Sequence, residues 1–220
     1  MTETHQLNIL LVGDSGVGKS TFLHRWKKKV FSNDISQNTS LKKLDTVITI
    51  NDKKVRVVFY DTAGSEYSDE EIDYSTASGC LVLYDTTGSA SFDHLDEIRD
   101  HIYSHMIGGE KDFPIVLVGT KLDLEQDRTV SQQYAQEWVD TCKYDVPMFE
   151  ASAYDGTNVK ESVEKVLELA FEYVYGEETS HHTITSPEEL EKPDENATPV
   201  APSPQPPQPI QEERRRCTIL

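Results

Sequence analysis

Short apolar runs alternate with segments of helical periodicity along residues 1–175 of the chain. Such runs are typical of buried strands, whereas apolar side chains three or four residues apart indicate a helix with one buried face. Strands and helices that recur in this order predict the α/β class, an open sheet with helices on both faces. The runs are residues 7–13, 44–50, 55–61, 80–85, 114–120 and 148–153, and the helical periodicity covers 20–29, 92–106 and 159–174.

One connection in this pattern is much shorter than the others. The polar stretch Asn51-Asp52-Lys53-Lys54 is all that separates the second apolar run from the third. Turn-forming residues between two strand-like runs are typical of a β-hairpin. We therefore expect a six-stranded, mostly parallel sheet that contains one antiparallel hairpin.

The composition changes abruptly near Gly176. Eight of the ten prolines lie in the last 45 residues, which also carry nine acidic and four basic residues. A segment poor in aromatic and β-branched side chains buries too little apolar surface to offset the entropy lost on ordering. The sequence predicts a folded domain over residues 1–175 and a disordered acidic, proline-rich tail over residues 176–220.

Charge and cysteine usage restrict the class of protein further. With 39 acidic against 21 basic residues the formal charge is −18, which disfavours binding to nucleic acid. Cys80, Cys142 and Cys217 are odd in number and far apart, so they indicate neither a disulfide framework nor a metal site. An acidic protein of a reducing compartment is expected.

A phosphate-binding loop is predicted directly after the first strand. Residues 13–20, GDSGVGKS, match the pattern GxxxxGK[ST] between an apolar strand and a helix. Backbone N–H groups of such a loop surround a phosphate, the Lys19 ammonium can reach the β- and γ-phosphates, and the Ser20 hydroxyl is a Mg²⁺ ligand. The candidate nucleotide-binding residues here are Gly13, Asp14, Ser15, Gly16, Val17, Gly18, Lys19, Ser20 and Thr21.

A second candidate segment, Asp61-Thr62-Ala63-Gly64, ends the third apolar run. A carboxylate at the carboxyl end of a neighbouring strand can hold the Mg²⁺ shell, which makes Asp61 a candidate metal ligand. Gly64 can offer a backbone N–H to the γ-phosphate where a side chain would block the approach.

Two further segments at strand ends predict recognition of a base. Thr120, Lys121 and Asp123 follow the fifth run, and one carboxylate can accept both the N1–H and the N2–H₂ donors of guanine, whereas adenine presents an acceptor at N1. The Lys121 stem can cover a ring face. Residues 152–154, which are Ser152, Ala153 and Tyr154, follow the sixth run and can supply a backbone N–H to the guanine O6.

These motifs, in this order and spacing, resemble the Ras superfamily of small GTPases from Leu7 to about Tyr175. The resemblance implies a cycle between GTP and GDP with Mg²⁺, two switch segments, and effector, exchange-factor and GTPase-activating partners. It also implies that Phe31 packs against the guanine and that Thr39 ligates Mg²⁺ in the GTP state, with Ser40 and Thr46 as weaker candidates for the same ligand. The strings GDSGVGKS and LVLYDTT look Rab-like, with a Ras-like protein as the alternative, and a monomer is expected.

The chain departs from the family at Ser65, where the water-orienting glutamine would follow DTAG. A serine hydroxyl is too short to bridge the attacking water and the γ-phosphate in the same way. Ser65, Gly64 and Lys19 are the candidate catalytic residues, and slow GTP hydrolysis is expected. The alternative is a binding module that holds GTP persistently, with little or no hydrolysis.

The last four residues, Cys217-Thr218-Ile219-Leu220, fit a prenylation motif whose terminal leucine favours a geranylgeranyl group. Arg214, Arg215 and Arg216 precede Cys217 and would add attraction to an anionic leaflet. A lipid anchor on the cytoplasmic face of a membrane is therefore expected, with the tail as a spacer.

Overall fold

The computed structural model describes residues 5–31, 43–62, 76–105, 113–143, 145–176 and 184. Within these ranges six strands form one sheet in the order β2-β3-β1-β4-β5-β6. The strands are β1 (His5–Val12), β2 (Lys43–Ile50), β3 (Lys53–Asp61), β4 (Gly79–Asp85), β5 (Ile115–Thr120) and β6 (Met148–Glu150). The helices are α1 (Lys19–Lys28), α2 (Ser89–Asp93), α3 (Leu95–His105), a 3₁₀ helix (Leu122–Asp127), α4 (Gln132–Asp140) and α5 (Val159–Tyr175).

The β2–β3 pair is antiparallel and every other strand pair in the sheet is parallel, which confirms the predicted fold class. The hairpin turn is shorter than the sequence suggested, because Ile50 pairs directly with Lys53. Asn51 and Asp52 have φ values of 50° and 60°, the left-handed conformation that closes a two-residue hairpin of type I′. Lys53 and Lys54 therefore belong to β3.

Helices cover both faces of the sheet, and each face has its own apolar core. Alternate residues of β1 divide between them: Leu7, Ile9 and Leu11 pack with α1 and α5, whereas Leu10 and Val12 pack with α2, α3 and α4. This division follows from the two-residue repeat of a strand. Ile184 is partly buried against the first of these cores.

Some elements differ from the sequence expectation. Helix α4 was not predicted, because Ala135 is its one fully buried residue and the remaining positions are largely polar. Its start is set by Ser131, whose side chain accepts a hydrogen bond from the Tyr134 N–H at 3.1 Å. The predicted helix over 92–106 is broken at His94, and Met106 lies outside the described residues. None of the helices in the described ranges has the length and apolar character that a bilayer crossing needs.

The parallel strands bring five chain segments to one edge of the sheet. Gly13 follows β1, Asp61 ends β3, Asp85 ends β4, Thr120 ends β5, and residues 151–154 follow β6. In an open α/β sheet the carboxyl ends of the strands form the edge where ligands bind. The predicted phosphate and base segments therefore share one side of the molecule.

Candidate nucleotide-binding site

The phosphate loop connects β1 to α1 without intervening structure. Gly13 lies so close to β4 that a Cβ atom there would collide with the carbonyl oxygen of Leu83. Gly18 has a φ of 98° and accepts the first hydrogen bond of α1 from Phe22 N–H at 2.8 Å. Only glycine adopts these positions without strain. The loop thus turns tightly and leaves the N-terminus of α1 facing the edge of the sheet.

The ammonium group of Lys19 lies inside this loop. Its side chain is 5% exposed, and Nζ donates hydrogen bonds to the carbonyl oxygens of Gly13 at 2.5 Å and Asp14 at 2.9 Å. The Asp14 carboxylate points elsewhere, to Nδ1 of His94 at 2.7 Å. Two backbone carbonyl oxygens therefore hold an ammonium group inside the loop, where its positive charge suits phosphate oxygens.

The two described candidate metal ligands are in direct contact. The Ser20 hydroxyl donates a hydrogen bond to Oδ2 of Asp61, although the two residues come from α1 and from the end of β3. Asp61 is buried, with 4% of its surface exposed. A hydroxyl and a carboxylate are the hard oxygen ligands that Mg²⁺ prefers, so this pair fits the predicted ion.

A cavity of about 240 Å³ extends from the phosphate loop to the segments predicted to bind a base. Thr120 links β5 to the phosphate loop and to β4, because its Oγ1 lies 2.6 Å from the carbonyl oxygen of Val17 and 2.9 Å from that of Tyr84. A threonine at this position thus ties β5 to the phosphate loop. The lining residues are Gly16, Val17, Gly18, Thr21, Phe22, Phe31, Thr120, Lys121, Asp123, Leu124, Ala153 and Tyr154.

Asp123 is oriented by a buried hydroxyl. Ser152 is fully buried, and its Oγ donates a hydrogen bond to Oδ1 of Asp123 at 2.6 Å. The same Oγ accepts from the backbone N–H groups of Tyr154 at 3.2 Å and Asp155 at 3.3 Å. Ser152 therefore fixes both the predicted base-reading carboxylate and the loop that carries Ala153.

Asp85 is a site residue that the sequence analysis missed. Its Oδ2 accepts a hydrogen bond from Lys121 Nζ at 2.6 Å, and its Oδ1 accepts from the Thr87 N–H at 2.8 Å. Burial disfavours the charged form, but these hydrogen bonds outweigh burial and hold the pKa of Asp85 below its usual value. Asp85 fixes the lysine beside the cavity. The sequence could have indicated Asp85, because it ends β4 and the ends of the neighbouring strands had already been identified as site segments.

Some predicted site residues lie away from the cavity or outside the described part of the chain. Ser15 is exposed on the phosphate loop and does not line the cavity. Phe31 does line it, and its ring meets that of Tyr154. Thr39, Gly64, Ser65 and Cys217 lie outside the described residues.

A mostly parallel sheet with a phosphate loop after β1 and a base-reading carboxylate after β5 defines a P-loop G domain. A sequence model of the Ras family matches residues 8–172. Ras-related protein Rab-7b of Mus musculus is 33% identical over 178 residues, covering 80% of this chain and 87% of that protein. The Ypt/Rab-type GTPase ypt7 of Schizosaccharomyces pombe is 34% identical over 172 residues, covering 76% and 83%. The chain belongs to the Ras family, which confirms the resemblance seen in its motifs.

Proposed function

We propose that the protein is a guanine-nucleotide switch of the Rab type. It binds GTP and GDP, hydrolyses GTP slowly, and recruits effectors in its GTP state during vesicle trafficking. The observation that carries this proposal is a continuous cavity that extends from the phosphate loop to Asp123, the carboxylate that Ser152 holds in place. The similarity to proteins named as Rab and as Ypt/Rab-type GTPases supports the same function.

Base recognition uses the residues after β5 and β6. Asp123 accepts hydrogen bonds from the N1–H and N2–H₂ groups of guanine, while Ser152 holds the carboxylate in place. The backbone N–H of Ala153 donates to the guanine O6. The Lys121 stem lies along one face of the base, because Asp85 fixes the ammonium group at its end.

Phosphate binding uses the loop after β1 and the end of β3. Lys19 neutralises charge on the β- and γ-phosphates, and the loop N–H groups donate to their oxygens. Ser20, Asp61 and Thr39 would hold the magnesium ion, and Gly64 would donate its N–H to the γ-phosphate. When bound, Mg²⁺ would offset the negative charge that develops on the β- and γ-phosphates.

The residue expected to orient the attacking water during hydrolysis is altered in this chain. Attack of water on the γ-phosphate depends on positioning and electrostatics, and Ser65 is shorter than the glutamine that orients this water in the family. We therefore propose slow intrinsic hydrolysis and a large dependence on an activating protein. The second candidate function, a persistently GTP-bound binding module, rests on the same residue.

Replacing Ser65 with glutamine should accelerate intrinsic hydrolysis by about 10²-fold, the small end of the range for one positioned proton-handling group. The measurement is single-turnover hydrolysis of preloaded GTP. A slow but finite wild-type rate supports the switch, whereas no hydrolysis over days supports the persistent module.

The matched control is Ser65→Ala, which should hydrolyse GTP no faster than the wild type, because alanine has no group that could orient the water. Equal rates for Ser65→Gln and the wild type would show that another group orients the water, and the proposal of slow hydrolysis would lose its support.

We also propose that residues 1–175 form the G domain and that residues 176–220, apart from Ile184, which packs against the core, form a disordered spacer with a geranylgeranyl group on Cys217. One lipid together with Arg214, Arg215 and Arg216 meets the requirement for two membrane-binding signals, each arginine adding about 1 kcal/mol. The protein then lies on the cytoplasmic face of a membrane, where effectors, exchange factors and activating proteins reach it as a monomer.

Substitution of Cys217 by serine should move the protein from the membrane fraction to the soluble fraction of cells, because the lipid has no other attachment site in this proposal. Affinity for GDP should not change, since the tail end is remote from the cavity in sequence. Cell fractionation measures the first effect, with Cys142→Ser as the matched cysteine control. Continued membrane association of the Cys217→Ser protein would reveal a different anchor.

A further inference from the structure

Two contacts join the segment that leaves α1 to the loop that follows β6. The Phe31 and Tyr154 rings meet edge to face, with centroids 5.2 Å apart and an angle of 71° between their planes. One turn before the end of α1, Arg25 Nη2 donates a hydrogen bond to the carbonyl oxygen of Asp155 at 2.7 Å. Both contacts connect residues more than 120 positions apart in the chain.

The loop side of these contacts is rigid. The backbone N–H groups of Tyr154 and Asp155 are held by the buried Ser152 Oγ, and the Gly156 N–H donates to the Ser152 carbonyl oxygen at 2.9 Å. Hydrogen bonds from Thr157, first its backbone N–H, lower the pKa of Asp155 and keep its carboxylate charged. This loop can therefore act as a fixed support.

The Arg25 side chain fits against the loop at a glycine. Gly156 has a φ of 94°, and a Cβ atom there would lie 2.7 Å from Arg25 Nη2 and 3.0 Å from Nε. The guanidinium group thus occupies space that any other residue at this position would need. A close approach of this kind, together with the hydrogen bond to Asp155, marks a built contact between α1 and the loop.

Among the residues that the structure describes, the other side of the contacts has little support of its own. Helix α1 ends at Lys28, and the next residue, Lys29, has a left-handed conformation that terminates the helix. Val30 is 60% exposed, so it does not anchor the chain. The position of Phe31 at the wall of the cavity then depends on Tyr154 at its ring and on Arg25 at the helix behind it.

We infer that Arg25 and Tyr154 are positioning residues that hold Phe31 across the base and thereby set the rate of nucleotide release. This inference rests on the proposed guanine-nucleotide binding. Tyr154 acts through the Phe31 ring, and Arg25 acts without lining the cavity at all. We call the two contacts the α1 clasp.

Loss of the α1 clasp removes the contacts that hold Phe31 at the wall of the cavity beside the base. The Tyr154→Leu protein should therefore release GDP about two- to tenfold faster, the range for an aromatic edge-to-face pair. The Arg25→Gln protein should release it about threefold to tenfold faster, the range for one ordinary hydrogen bond, because the bond from Arg25 is exposed to solvent. Most changes in affinity of this kind appear in the dissociation rate.

The test uses the full chain loaded with a fluorescent GDP and measures its release into excess unlabelled GDP, with and without a magnesium chelator. Chelation accelerates release at the phosphate end, so a clasp at the base end should give the same fold-change under both conditions. Tyr154→Phe should retain the wild-type rate because it keeps the ring. Arg25→Lys should release GDP at a rate between those of the wild type and Arg25→Gln, because lysine keeps the charge and can still donate a hydrogen bond.

Two matched controls separate the clasp from general loss of stability. Tyr134 is exposed and pairs with Phe92 at a centroid distance of 5.0 Å, and neither residue lines the cavity, so Tyr134→Leu should not change release. Lys27→Gln removes a charge from α1 outside the clasp and should also have no effect. Thermal unfolding of each variant gives the stability comparison.

Wild-type release rates in both Tyr154→Leu and Arg25→Gln would overturn the clasp and leave the proposed function intact. The clasp would also be overturned if GDP release accelerated equally in the clasp variants and in the Tyr134→Leu control, because the acceleration would then come from a general loss of stability. Failure of the wild-type protein to bind guanine nucleotide would overturn the proposed function and the clasp with it.

Discussion

Replacement of Lys19 by methionine should weaken nucleotide binding by about 10²- to 10³-fold, equivalent to about 3–4 kcal/mol. Methionine keeps the length of the side chain but removes the ammonium group that contacts the phosphate oxygens. The wild-type group already lies inside the loop, against the carbonyl oxygens of Gly13 and Asp14. Its position costs little to organise on binding, so most of its interaction with phosphate is available as affinity.

The affinity for GDP, measured by competition against a fluorescent nucleotide, checks this prediction. Lys27→Met is the matched control, since it removes a lysine charge from the same helix away from the cavity. Far-UV circular dichroism should show that both variants fold. Wild-type affinity in Lys19→Met would contradict the phosphate-loop assignment.

The fold could be predicted from the sequence wherever the controlling interactions are local. Alternating apolar runs marked all six strands, and turn residues at Asn51 and Asp52 marked the hairpin. Helix α4 could not be predicted in the same way, since Ala135 alone is fully buried and Tyr134 is 53% exposed. Without a wide apolar face, periodicity carries little signal.

The same distinction between local and long-range interactions applies to the residues of the candidate site. Lys19, Asp123 and Ser152 were predicted because each lies in a short motif whose spacing has a chemical reason, and the structure brings Asp123 and Ser152 into contact. Asp85 was missed because its partner Lys121 lies 36 residues away. Arg25 was missed because its partner lies 130 residues away and is a backbone carbonyl, which has no sequence signature.

Base selectivity is expected to be the largest effect of all. GDP presents N1–H and N2–H₂ donors to Asp123, whereas ADP presents an acceptor at N1 to the same carboxylate. A site built to hydrogen-bond a ligand rejects analogues that lack the matching group by several orders of magnitude. We expect ADP to bind at least about 10³-fold more weakly than GDP. Inosine diphosphate keeps N1–H and lacks one donor group, so it should bind about 10- to 100-fold more weakly.

The Asp123→Asn protein should lose most of this selectivity, because the amide can no longer accept both donors. The matched control is Asp127→Asn in the same 3₁₀ helix, where an exposed carboxylate lies away from the cavity lining. Its selectivity should equal that of the wild type.

Competition titration of the wild-type protein with GDP, inosine diphosphate and ADP is the most direct test of a guanine-nucleotide switch. The expected order of affinity is GDP, then inosine diphosphate, then ADP, with a separation of at least about 10³-fold between the first and the last. Equal affinity for ADP and GDP, or tighter binding of ADP, would contradict the assignment of Asp123 and with it the proposed function.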